Sequence, residues 1–105
     1  MNAWGLLAAA AVFEIVFAMG MKLSEGFTRL WPSVAVGVGA VGGLWLLTLS
    51  MKTLPVSVAY PAWTALGTLG TVTLGWLMLG ESLSPLKLAS AAAIVAGVAG
   101  LRASA

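Results

Sequence analysis

Between Trp4 and Met21 the chain reads WGLLAAAAVFEIVFAMGM, apolar from end to end except for Glu14. A run of this length is close to what a helix needs to cross a hydrocarbon core about 30 Å thick. A carboxylate in the middle of such a run is costly to bury in lipid, and where membrane proteins carry one it usually marks function. A cleaved leader is the competing reading. Against it, Met1-Asn2-Ala3-Trp4 offers no basic n-region, and a carboxylate falls where the apolar h-region would be.

The rest of the chain repeats the pattern. It has 105 residues, 61% of them hydrophobic, with five basic and three acidic side chains, whereas about a quarter of the residues in a soluble domain are charged. So few polar groups cannot cover a domain of this size, and the excess apolar surface must face lipid or other subunits. Polar clusters divide the chain into four apolar intervals, at about 4–21, 31–51, 56–79 and 86–101. Pro32 sits at a first-turn position, where its missing N–H costs nothing. Lys52-Thr53-Leu54-Pro55 makes a short hinge, and Gly80-Glu81-Ser82 closes the third interval. The fourth, bounded by Pro85 and Arg102, is short: sixteen residues rise only about 24 Å. No interval alternates polar with apolar, and an open sheet edge does not survive in hydrocarbon, which leaves helices. The expected fold is an all-α membrane protein, a single domain over 1–105 with four transmembrane helices. Short connections make neighbouring helices antiparallel and put both termini on one side.

Composition also removes chemistries. Without Cys or His there is no disulfide framework, thiol nucleophile, imidazole base or usual zinc site. Three glutamates and no aspartate leave little for hydrolysis, so no enzyme, metal or cofactor is expected. A net charge of +2 is no basic stripe, and nucleic acid is not an expected partner. The side bearing the termini carries Lys52 and Arg102, the other Lys22, Arg29 and Lys87. Since topology follows Lys/Arg excess, this chain is weakly instructed and suited to inserting in both orientations, which points to an antiparallel oligomer. Small residues recur at four-residue spacing, as Gly39 and Gly43 in the second helix and as Ala89, Ala93, Gly97 and Ala92, Ala96, Gly100 in the fourth. Such spacing lets backbones approach, and Ala93, Gly97 and Gly100 make the fourth helix the expected dimer contact.

Glu14 lies about 15 Å into its span, near the midplane. An ionised carboxylate there must be neutralised by a proton or paired with a cation. All five basic residues flank the spans, so the partner comes from outside the chain. If a proton and an organic cation compete for the same carboxyl, release of one drives capture of the other, which is the core of an antiporter. Tyr60 and Trp63 share a face of the third helix, where aromatic rings suit a cation and a phenol O–H can reach a carboxylate. Pro61 between them removes a backbone donor and predicts a bend, to which Gly67, Gly70 and Gly75 add flexibility. On the first helix Ala10 and Ala18 flank Glu14, with Leu7 and Phe17 on or near the same face, leaving room for a ligand.

Glu14 within the first of four helices, the run Met21-Lys22-Leu23-Ser24-Glu25-Gly26-Phe27-Thr28-Arg29-Leu30 and the run Ala59-Tyr60-Pro61-Ala62-Trp63-Thr64 together resemble the small multidrug resistance family of bacterial membrane transporters. The resemblance covers nearly the whole chain. It implies an antiparallel, dual-topology homodimer in the bacterial inner membrane that exchanges protons for cationic compounds around one glutamate from each subunit. Glu14 would couple and bind, Tyr60 would hydrogen-bond and gate, and Trp63 would form an aromatic wall. Met51-Lys52-Thr53-Leu54-Pro55, Gly80-Glu81-Ser82-Leu83-Ser84-Pro85 and the Gly100-Leu101 ending resemble the guanidinium exporter branch. That branch typically has Trp at the position of Phe17 and Ser at the position of Gly43. Pro61 stands where Ala is usual, and Ala65-Leu66-Gly67 replaces a Gly-x-Gly bend. Phe and Gly supply no side-chain donor, so Glu14 is less fixed and the pocket less polar. The expected function is proton-coupled export of guanidinium-type compounds. The alternatives are a broad exporter of quaternary ammonium and other hydrophobic cations, one subunit of a heterodimeric exporter, or a non-transporting membrane assembly subunit.

Overall fold

The computed structural model describes residues 2–104, so Met1 and Ala105, the ends of the expected 1–105 domain, lie outside it. Four α-helices follow one another: α1 (Ala3–Leu23), α2 (Leu30–Ser50), α3 (Val56–Leu79) and α4 (Pro85–Ser104). All four are long and apolar enough to cross a membrane. At about 1.5 Å per residue, the 21 residues of α1 rise about 31 Å, one bilayer core.

Local signals set the ends of these helices. Asn2 caps α1, its side-chain oxygen accepting from the Gly5 amide at 2.7 Å, which satisfies one of the donors a helix start leaves open. The α1–α2 turn is built on Ser24, which is fully buried. Its hydroxyl donates to the Met21 carbonyl at 2.9 Å and accepts from the Phe27 amide at 3.0 Å. Those bonds hold Glu25, Gly26 and Phe27 in three successive left-handed conformations, a backbone that non-glycine residues adopt only when their surroundings impose it. α3 ends on Gly80 at φ 67, and the Glu81 amide returns to the Gly75 carbonyl at 3.0 Å. This left-handed cap is the reason a glycine stands there.

α4 departs from its expected boundary. It runs through Arg102 to Ser104, twenty residues in all, which removes the shortfall inferred from the sequence. A cation does not end a helix, and in the last turn it is favoured by the helix dipole. Arg102 also has a local partner, its guanidinium lying 5.5 Å from the centre of the Trp4 ring, within cation–π range. That contact joins the start of α1 to the end of α4, which places both ends on one side, as the short connections require.

α1 and α2 form the tightest pair in the molecule, and α3 packs on α1. The buried cluster is Leu7, Ala10, Leu47, Ala59 and Ala62, drawn from these three helices. α4 lies along α3 and has no buried residue. The molecule is a slab 40 × 34 × 19 Å, about two helix diameters thick.

Candidate functional site

The α1–α2 contact brings Glu14 into place. A Cβ at Gly39 would stand 2.7 Å from both the Phe13 carbonyl oxygen and the Phe17 amide nitrogen, so the two backbones meet there with nothing between them. The spacing read as a packing signal, Gly39 to Gly43, is thus a seam against α1. Gly43 is buried in this seam, where a Cβ would meet the Phe13 Cβ at 3.3 Å and the Ala10 carbonyl at 3.4 Å.

Beside the seam lies a small chamber of about 90 Å³ lined by Glu14, Phe17, Gly39, Ala40, Leu44 and Trp63. Glu14 is its only charged or titratable residue. The Glu14 Oε2 atom is buried and has no hydrogen-bond partner among the described residues. A buried carboxyl oxygen without a donor is costly, and the one side-chain donor in this lining, the Trp63 indole N–H, is committed to the Ala10 carbonyl. On the α3 side the carboxyl rests against Gly67, where any Cβ would overlap it.

Trp63 closes the chamber from α3. Its indole N–H donates to the Ala10 carbonyl at 3.1 Å, a bond across helices that fixes the ring against α1. Ala10 is fully buried beneath it. Tyr60 meets Trp63 edge to face, with ring centres 5.5 Å apart, but half of Tyr60 is exposed and its phenol makes no hydrogen bond to Glu14. In one chain it therefore reaches the carboxyl only through Trp63, and the direct contact envisaged from the sequence is not formed.

Of the residues singled out in the sequence, the fold thus gathers Glu14, Phe17, Trp63 and Gly67 at one place, with Ala10 behind them. It keeps others away. Gly43 is packed rather than chamber-lining. Pro61 is exposed and borders a groove facing Gly97 and Leu101 of α4. α3 runs as one continuous helix through both Pro61 and Gly67. Ala93, Gly97 and Gly100 lie exposed on α4, and nothing stands within 4 Å of a Cβ placed at either glycine. Sequence reasoning missed Ala40 and Leu44 as lining residues. Their signal was available, since they follow Gly39 and Gly43 by one residue each and so flank the seam.

A family model described as "Small Multidrug Resistance protein" matches residues 2–94. The chain belongs to the small multidrug resistance family. Within it, the chain is 46% identical over 102 residues to the guanidinium exporter of Salmonella typhimurium, covering 97% of each protein. It is 44% identical over 99 residues to the guanidinium exporter of Escherichia coli O6:H1, covering 94% of each, and 43% identical over 99 residues to that of Escherichia coli K12, again covering 94% of each. This small multidrug resistance protein is accordingly an all-α, multi-pass protein of the inner membrane.

Proposed function

We propose that the protein is a proton-coupled antiporter that exports small organic cations of the guanidinium type, by alternating access around Glu14 in an antiparallel homodimer. One observation carries this reading. The sole carboxylate within a span is half-buried, with its Oε2 atom fully buried and without a partner among the described residues, and it is walled by aromatic and apolar groups, so it must be satisfied by something that comes and goes. A proton and an organic cation can each do so, and each excludes the other. Trp63 supplies an aromatic face for the cation. No chemical transformation follows from this arrangement, since among the described residues no second acid, base or nucleophile lines the chamber with Glu14.

The slab shape supports a second copy. A body about two helices thick cannot enclose an aqueous path, and α4 leaves Ala93, Gly97 and Gly100 uncovered, the close-packing residues expected at a contact between helices. The apolar lining of the chamber also favours a second substrate reading. With Phe17 in place of a donor-bearing side chain in that lining, hydrophobic cations such as quaternary ammonium compounds lose less on entering than a small planar ion with many N–H groups to satisfy.

The test is transport current in proteoliposomes of the purified protein, challenged in turn with guanidinium and with tetrapropylammonium, beside Glu14→Gln. Guanidinium current that disappears in Glu14→Gln is the expected result, because an amide cannot exchange a proton. Current with tetrapropylammonium moves the protein to the broad-specificity reading. Current with neither brings forward a heterodimer or a non-transporting subunit. Competition also fixes the pH dependence. As pH rises, protons leave Glu14 and apparent cation affinity increases, by at most about tenfold per pH unit for one competing proton, before reaching a plateau. Binding isotherms that stay flat across that range contradict the antiport reading.

A further inference from the structure

The contact between α1 and α3 is made in an unusual way. Two adjacent α1 side chains, Glu14 and Ile15, drop into two glycine positions on α3. A Cβ at Gly67 would overlap the Glu14 carboxyl and stand 2.9 Å from its Cγ, and a Cβ at Gly70 would overlap the tip of Ile15 and stand 2.6 Å from its Cγ1. Gly67 and Gly70 are three residues apart and so lie on one face of α3. Ile15 in the Gly70 notch is ordinary packing, an apolar group against backbone. Glu14 in the Gly67 notch is not, because its Oε2 atom is buried there without a donor.

The arrangement discriminates between two forms of the carboxyl. A neutral carboxylic acid can sit against a glycine backbone at modest cost, whereas an unpaired carboxylate in the same place is strongly disfavoured. No other group on the packed helices changes this balance. α2 faces Glu14 with Gly39, Ala40 and Leu44, α3 with Trp63 and Gly67, and α1 with Phe17, none of which titrates or carries charge. Tyr60 is turned toward Trp63.

Resting on the antiporter reading, we propose that Gly67 is a positioning residue whose missing side chain forms the notch where the proton-carrying form of Glu14 docks, so that loading the proton and closing α3 onto α1 are one event. On this account Gly67 acts as a socket for the carboxyl. The cation-binding form is the one in which Glu14 has left the notch for the chamber.

Gly67→Ala tests the proposal. The atom it displaces is the end of a flexible side chain, so Glu14 turns out of the notch and the helices need not part. Eviction at the cost of an altered rotamer, about 1 kcal/mol, corresponds to roughly fivefold in an equilibrium. Because the docked, protonated form is the one weakened, guanidinium binding measured by Trp fluorescence is expected to tighten about fivefold at acid pH and to remain unchanged at alkaline pH, where wild-type Glu14 is already ionised. Gly67→Ala combined with Glu14→Asp, which exchanges one methylene for the other, is expected to return the ratio of acid to alkaline affinity toward that of Glu14→Asp alone. Gly70→Ala, which evicts Ile15 instead, should show no gain confined to acid pH. Weaker binding at both pH values in Gly67→Ala would assign the glycine to a hinge or to packing and overturn the socket.

Two further outcomes are decisive. If Gly67→Ala does not accumulate in the membrane, the proposal requires that Gly67→Ala/Glu14→Asp does, and failure of both variants overturns it. If wild-type protein neither binds nor transports guanidinium or tetrapropylammonium, the antiporter reading fails first. Melting temperatures of the same four variants at acid pH then still decide whether Glu14 and Gly67 are sterically coupled, since a socket requires the double variant to be more stable than the two single changes add up to.

Discussion

α2 and α4 are alike in length and both carry small residues at four-residue spacing, yet the fold uses them in opposite ways. α2 buries Val36, Gly39, Gly43, Leu47 and Ser50, chiefly against α1, while α4 buries nothing. At Gly39 the neighbouring backbone leaves no room for a methyl group, whereas at Gly97 and Gly100 the space is open. The comparison teaches that small-residue spacing in an apolar helix announces a close contact without saying whether the partner belongs to the same chain. α1 fills the α2 seam within one subunit. The equivalent face of α4 is open within one chain, and under the dimer reading it meets the α4 of a second copy.

Four changes would break or sharpen this contrast. Gly39→Ala should have the largest effect, because the atoms a Cβ would meet are backbone and cannot turn aside. Overpacking of this kind costs about 1–3 kcal/mol and should appear as a lowered melting temperature in detergent; an unchanged melting curve would mean that the seam is looser than drawn. Gly97→Leu should leave the helical content of the subunit intact while weakening self-association by about 1 kcal/mol, as for other intramembrane contacts. Cysteine-free crosslinking or single-molecule photobleaching in bilayers checks it, and full dimer in that variant would move the interface off α4.

Trp63→Phe keeps an aromatic wall but removes the donor to the Ala10 carbonyl. Loss of one neutral hydrogen bond costs about 0.5–1.5 kcal/mol. The expected signature is weaker binding of all cations alike, whereas a loss confined to aromatic cations would make the indole ring itself the recognition element. Gly97→Ala should be the mildest. With nothing within 4 Å of its Cβ, subunit stability should stay within about 0.5 kcal/mol of wild type, in contrast to the same substitution at Gly39.

Much of the fold was legible in the sequence because its strongest constraint is local. Pro32, Gly80 and Pro85 punctuate the apolar runs, and the third helix falls at 56–79 both as read and as folded. Two helices run past the cation read as their stop, α1 through Lys22 to Leu23 and α4 through Arg102 to Ser104, because a cation is favoured in a last turn and the Arg102 guanidinium has Trp4 to lie on. The site was legible in part. Glu14, Phe17 and Trp63 line one chamber, and the wall supplied by Ala40 and Leu44 was not anticipated. Neither was the position of Gly67 against the carboxyl, which had suggested only a bend. Hydrophobic periodicity could not help, since a helix with lipid on one side and protein on the other is apolar all round and presents no stripe.

The sequence by itself determined that there are four spans and that one carboxylate lies deep within the first. Both follow from the cost of exposing backbone and charge to hydrocarbon, a cost each segment bears whatever its neighbours. Only the tertiary structure decided which faces meet: α2 rather than α4 against α1, Trp63 donating to the Ala10 carbonyl, Tyr60 held off from the carboxyl, and Glu14 seated on Gly67. Those choices rest on van der Waals fit between helices of nearly uniform polarity, and fit is a property of two surfaces together that neither segment carries alone.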